Sequence, residues 1–372
     1  MLKISDKTFV LVTSLFYAAF VIFISSHHVV WRNEVVPMTV AMQSSSFSDL
    51  CAKIHSFGHP VLWYFLFYLI HQVIHPYWAL KVVNILICVG AITIFLANSP
   101  FSRLQKILFV LGFFPLYLYP VFNCNYGISM LLLFAFASLY PKRFEKMVPL
   151  GCILLLLANA HAHSLITTIA IFLALAAEFL FSPKSRKAWQ GHLNQTIIGF
   201  VLIAVGILFS AIQTMPGHNN IIFDPHPIGL KEMVSAFVKS VILPGKAFIN
   251  VLGVPSALFT TFVVLCVYIY LAAKPYLFVL FSCGVIGLSV FYHLIFQSDD
   301  LRHQGALYLL LITVFWIESY VPDIRLGKFM GKFRDSIARH KESFFIFLLV
   351  LQVCMGLPAI KNEATSLYSS SK

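Results

Sequence analysis

Apolar runs close to twenty residues long alternate with short polar stretches along the whole chain. A helix rises about 1.5 Å per residue, so about 20 apolar residues are needed to cross a hydrocarbon core of about 30 Å. On that criterion the pattern predicts about eleven spans. They lie near 8–27, 77–97, 107–123, 126–140, 148–158, 164–181, 194–215, 255–273, 275–297, 304–321 and 343–360. The runs 126–140 and 148–158 are short for that thickness, so they must tilt little, thin the membrane or sit behind other helices. Segment 61–75 has an apolar run of only about ten residues before His71 and His75, and reads as a re-entrant or interfacial helix, with a true span as the alternative. Segments 35–57 and 228–252 mix polar and apolar positions and read as helices lying along the membrane surface. The expected fold class is an all-α polytopic membrane protein, a single transmembrane domain over residues 1–372.

Composition points the same way. The 372 residues are 59% hydrophobic and 11% charged, with a mean hydropathy of +0.86; a soluble domain carries about 25% charged residues. The net charge of +12 does not argue for nucleic acid, because the basic residues sit in short stretches between apolar runs and read as topology signal. With the N-terminus in the cytoplasm and 61–75 not crossing, most of the 26 Lys and Arg residues fall on the inner side. They include Lys142, Arg143, Lys146 and the basic loop 322–342, and the C-terminus lies outside. If 61–75 crossed, every later loop would flip and the positive-inside bias would reverse. Lys3 and Lys7 precede the first run, which lacks a small-residue cleavage site, so it reads as a retained helix. Of the seven cysteines, Cys51 and Cys124 fall in polar segments and could pair; the other five lie inside apolar runs, and no CxxC occurs.

Sidedness concentrates the chemistry. The outer face receives the loop 28–60 with its surface helix, the stretches 123–127, 159–163 and 298–303, and the long loop 216–254. Glu34, in Trp31-Arg32-Asn33-Glu34, stands at the mouth of the bundle. It is either a general base or cation ligand, or a solvated carboxylate paired with Arg32. His59-Pro60 before Trp63-Tyr64 suits a helix start and an interfacial anchor. His161 and His163 are about 200° apart on a helix and have no third ligand at a characteristic spacing, so they read as cavity lining more than as a zinc site. Asp299 and Asp300 offer carboxylates to a divalent cation, and Arg302 offers a fork to phosphate; the alternative is an ordinary charged turn. His218, Asp224 and His226 sit in the long loop, either a lid or plain connection, while Glu178 and Glu318 read as packing residues near inner helix ends. No Walker loop, GxSxG elbow, HExxH or dinucleotide fingerprint occurs on a suitable scaffold, which speaks against a soluble-nucleotide enzyme.

The order of these features resembles the GT-C superfamily of membrane glycosyltransferases, of the mannosyl- and aminoarabinosyl-transferase kind. The matching positions are Glu34 after the first span, the surface helix 35–57, the segment His59-Pro60-Val61-Leu62-Trp63-Tyr64, Ala79-Leu80-Lys81, and Phe114-Pro115-Leu116-Tyr117 through Asn125-Tyr126-Gly127. The likeness covers roughly residues 8–180, with weaker support from Arg302-His303-Gln304-Gly305; the usual Asp-Glu pair is Asn33-Glu34, and no large outer domain follows the last span. The resemblance implies a GT-C-like bundle that moves a sugar from a polyprenyl-phosphate donor to an acceptor at the non-cytoplasmic face, in a bacterial cytoplasmic membrane. It implies Glu34 as the base that deprotonates the acceptor, and Arg32, His59, Tyr64, Asn125, Tyr126, His161, His163, Arg302 and His303 around the substrates. A divalent cation is left open as cofactor, with Asp299 and Asp300 as its candidate ligands; the partners are the lipid donor and membrane lipids. A polysaccharide polymerase or acyltransferase of the same face, and a transporter of a lipid-linked substrate, are the alternatives.

Overall fold

The computed structural model describes residues 5–55, 57, 59–215, 229–242, 244–248, 254–296 and 301–365. Among these the chain is helical throughout, with no strand. Ser5 opens α1 (Asp6–His27) by accepting the Thr8 N–H on its hydroxyl, which satisfies a donor that the first helical turn leaves without a partner. Three short helices follow: α2 (Arg32–Met42), α3 (Phe47–His55) and α4 (Leu62–Ile70). At nine residues α4 is about 14 Å long, half of what a span requires. Pro76 starts α5 (Pro76–Asn98), where its missing N–H costs nothing. Ser102 and Gln105 form a reciprocal capping box at the head of α6 (Arg103–Val110).

The expected straight span over 107–123 is instead broken. After α6 the chain passes Gly112 into a π-helical turn, Phe113–Leu118, and a last short piece, α7 (Tyr119–Val121), bent by 49° from α6. Pro115 explains the break, since its nitrogen cannot donate and its ring crowds the turn before it. The rest of the bundle is α8 (Tyr126–Leu139), α9 (Met147–Ala158), α10 (Ala162–Phe181), α11 (Pro183–Gln190), α12 (Leu193–Thr214), α13 (Leu230–Ile242), α14 (Val254–Leu271), α15 (Pro275–Phe291), α16 (Leu301–Ile317) and α17 (Lys328–Thr365). The basic stretch 322–342 is not all loop: it is helical from Lys328 and continues into the last apolar run, so α17 has 38 residues and is far longer than a bilayer is thick.

Six helices among the described residues are long and apolar enough to cross a membrane, α1, α5, α10, α12, α15 and α17, with a seventh if the bent pair around Gly112 is one span. These helices make the protein a helical membrane protein. The expected number of about eleven is not reached by length and composition, because α8, α9, α14 and α16 fall short of that test. The two shortest are packed inside the bundle: α8 lies against α5, α9 and α16, and α9 against α12. The α9–α12 contact is close because glycine forms it. A Cβ on Gly151 would stand 2.7 Å from the Gly199 carbonyl oxygen, and one on Gly206 would stand 2.7 Å from the Leu155 Cα. Small residues at such crossings let backbones approach where lipid supplies no hydrophobic drive.

Polar side chains collect at the two ends of the bundle. At one end Arg143 grips Glu178 with two hydrogen bonds, 2.7 and 3.1 Å. Glu318 there accepts from Tyr270 and pairs with Lys274 and Lys341, and Arg103 meets Asp6. Glu178 and Glu318 are therefore anchors between helices. The opposite end holds the residues to which the sequence assigned chemistry.

Candidate functional site

Glu34 is a buried carboxylate of that end. It lies in the first turn of α2, and only 1% of its surface is exposed. Two positions along a helix are about 200° apart, which is why Glu34 turns into the bundle while Arg32, at the start of the same turn, stays exposed. Arg32 is not a hydrogen-bond partner of Glu34, and with Glu34 buried the alternative of a solvated carboxylate paired with Arg32 is set aside. The partners of Glu34 are His28 and Asn123. His28 Nε2 lies 2.9 Å from Oε1, the Asn123 side-chain amide donates to Oε2 at 2.8 Å, and the Asn123 backbone N–H adds a bond of 3.3 Å.

His28 reaches a second carboxylate with its other nitrogen: Nδ1 lies 2.8 Å from Glu363 Oε1 in the last turn of α17. The Tyr117 hydroxyl donates to Glu363 Oε2 at 2.8 Å. The result is a buried chain, Glu34–His28–Glu363–Tyr117, drawn from the ends of α1, α2, α17 and the π-helical turn. Burial alone would push His28 toward its neutral form, but hydrogen bonds to Glu34 and Glu363 and their charges outweigh it and raise its pKa to about 9. The imidazolium is thus the counter-charge of two carboxylates.

The backbone around this chain is fixed by side chains reaching across the bundle. Lys81, buried in α5, donates to the carbonyls of Ser25 (2.7 Å) and His28 (3.0 Å), satisfying the carbonyls that the end of α1 leaves open. Asn84, one turn along, donates to the carbonyls of Tyr119, Pro120 and Phe122, and so holds the segment from which Asn123 projects. Phe122 packs edge-on against Trp31 and tilted against His28. A cleft of 510 Å³ opens beside the chain, lined by His27, His28, Tyr77, Glu363 and their neighbours.

Two residues beyond Asn123 the same loop reaches a second polar group. The Asn125 amide donates to the Ala160 carbonyl at 2.9 Å, tying the loop to the turn before α10. Tyr126 lies with its ring 5.0 Å from that of His161 and its hydroxyl 3.3 Å from His303 Nδ1. His161 caps α10 by accepting the His163 N–H, and the Nδ1 atoms of the two rings are 2.5 Å apart. The rings of His163 and His303 stack at 5.2 Å. His59 stands between Tyr64, at 6.4 Å, and His161, at 6.5 Å. Burial, then the neighbouring imidazoles, hold His161 well below the usual histidine range, and burial lowers His59.

Seven of the expected site residues, His59, Tyr64, Asn125, Tyr126, His161, His163 and His303, therefore converge, and Glu34 joins them through the loop 122–126. Arg302 sits half-exposed in the first turn of α16, beside His303. Asp299 and Asp300 lie outside the described residues, as do His218, Asp224 and His226. Cys51 and Cys124 are both free thiols, so the pairing that their polar setting allowed is not formed. Sequence reasoning missed His28 and Glu363 entirely, and saw Asn123 and Lys81 only as parts of motifs. His27-His28 at the end of an apolar run was the available signal for the first. Glu363 gave none, since one acid in a polar helix end is commonplace. Compared with protein-family models, with curated proteins and with solved structures, the chain matches none.

Proposed function

We propose that this protein is a membrane glycosyltransferase that moves a sugar from a polyprenyl-phosphate donor to an acceptor at the non-cytoplasmic face, in a bacterial cytoplasmic membrane with its N-terminus inside. One observation carries the reading: a carboxylate held by two polar partners, Glu34 with His28 and Asn123, lies at the same end of the bundle as a polar histidine and tyrosine group. Ionisable groups inside a membrane protein are costly and are retained where chemistry or transport needs them. The order of motifs shared with the GT-C superfamily supports sugar transfer over other chemistries.

In this reading the acceptor hydroxyl displaces one of the hydrogen bonds to Glu34 and gives its proton to that carboxylate as its oxygen attacks the anomeric carbon. The bond from that carbon to the lipid phosphate breaks, and the phosphate leaves with the electron pair. Arg302 and His303 meet the growing negative charge, where preorganised donors lower the barrier most. His28 and Asn123 orient Glu34, and His28 balances its charge.

The test is Glu34→Gln in proteoliposomes supplied with a polyprenyl-phosphate sugar. Turnover, read as free polyprenyl phosphate released, is expected to fall about 10²-fold or more, the usual general-base contribution. Because Glu34 is buried, a thermal melt of the same sample must show it folded. Wild-type turnover in a folded variant rejects Glu34 as base. Transport without release of polyprenyl phosphate, or acyl transfer, rejects sugar transfer itself.

A further inference from the structure

We infer that His161, His163 and His303 form a binding site for a divalent transition-metal ion of the zinc class. One ligand nitrogen from each lies within 4.8 Å of the others. Zinc holds imidazole nitrogen at 2.0–2.1 Å, which in a tetrahedron spaces neighbouring ligand atoms by about 3.4 Å. That spacing lies within the 4.8 Å limit of the trio, and His161 Nδ1 gives up the His163 backbone N–H it now accepts when it takes the ion.

The rings are already oriented by an outer layer of contacts, as metal-binding histidines are. His161 is held by the face of Tyr126, 5.0 Å away. The Tyr126 hydroxyl touches His303 Nδ1, and the Tyr292 hydroxyl donates to the His303 carbonyl at 2.5 Å. Nitrogen-only ligation favours zinc, copper, nickel or cobalt, and disfavours magnesium and calcium, which take oxygen. The trio contains no carboxylate. Three neutral imidazoles leave the ion's two charges uncompensated, so its remaining position takes water or an anionic oxygen. The site shares His303 with the sugar-transfer reading, but its metal test needs no turnover.

Cobalt is the probe, because four-coordinate Co²⁺ absorbs strongly in the visible and six-coordinate Co²⁺ does not. The full chain, purified in detergent on a tag without histidine and stripped with chelator, is titrated with Co²⁺. The expected result is a strong visible band that saturates at one equivalent and is abolished by one equivalent of Zn²⁺. His303→Gln, at a half-exposed position in the first turn of α16, is expected to remove the band while leaving the thermal midpoint near wild type; His59→Asn, outside the trio, is expected to keep it. A weak six-coordinate spectrum in the wild type overturns the site without recourse to any variant. A strong band that persists in a folded His303→Gln variant also overturns it.

Discussion

His28→Asn removes the one cation between Glu34 and Glu363 while keeping a side chain able to hydrogen-bond. In the folded protein the His28 pKa is raised from 6.5 to about 9. Each tenfold change in proton affinity is about 1.4 kcal/mol, so the pull of the two carboxylates, net of burial, stabilises the charged ring, and with it the fold, by about 3 kcal/mol. The folded value lies above the unfolded one. This contribution is therefore complete below pH 6.5 and is lost as pH rises through about 9. The fluorescence of Trp63, Trp189 and Trp316, all fully buried, reports unfolding in detergent. The wild type is expected to lose several degrees of thermal midpoint across that window. His28→Asn is expected to begin destabilised at neutral pH and to lack the loss. The difference between the two curves isolates His28 from every other group that titrates near pH 9. Parallel curves for wild type and variant would refute the reasoning, and would mean that His28 is neutral in the fold.

Two further outcomes bear on the ends of the bundle. Glu178→Ala leaves the Arg143 guanidinium buried without its carboxylate, and is expected to cost about 3–5 kcal/mol; denaturant midpoints against Glu178→Ala/Arg143→Met, which removes both charges and is expected to recover much of the loss, check this. For orientation, single cysteines on a background without native thiols are tested in sealed cells with a membrane-impermeant reagent: Asn33→Cys is expected to react and Asp335→Cys to be protected, and the opposite pattern reverses the assigned sides.

Most of the long helices could be read from the chain, because a bilayer imposes one period and one length on them. The break at Gly112 was less legible: Pro115 sits in an apolar run that continues on both sides, and hydropathy does not register a lost N–H donor. The helix over 328–342 was hidden by its charge, which reads as a loop although basic residues are good helix formers outside the lipid. Within the site, Glu34 was legible because an acid at the mouth of a span is conspicuous. That Arg32 faces away from it was not legible, because the start of α2 at residue 32 carries no cap signal and a loop leaves the two side chains free to meet. His303 was seen as a phosphate partner, yet its place beside His161 and His163 rests on the packing of α16 against α10 and α8, which no local spacing rule contains.

The bond from His28 to Glu363 spans 335 positions of the chain. A ribosome makes His28 and Glu34 early and delivers Glu363 only when the last helix is nearly complete. Until then the imidazole has one of its two carboxylates, and the cleft lacks the wall that Glu363, Ala364 and Thr365 supply. A nascent or truncated chain ending before α17 can therefore insert its earlier helices and still have an unfinished site. The polar chain thus closes only once α17 is in place, and a bundle without that helix leaves His28 with an open side where its second carboxylate belongs.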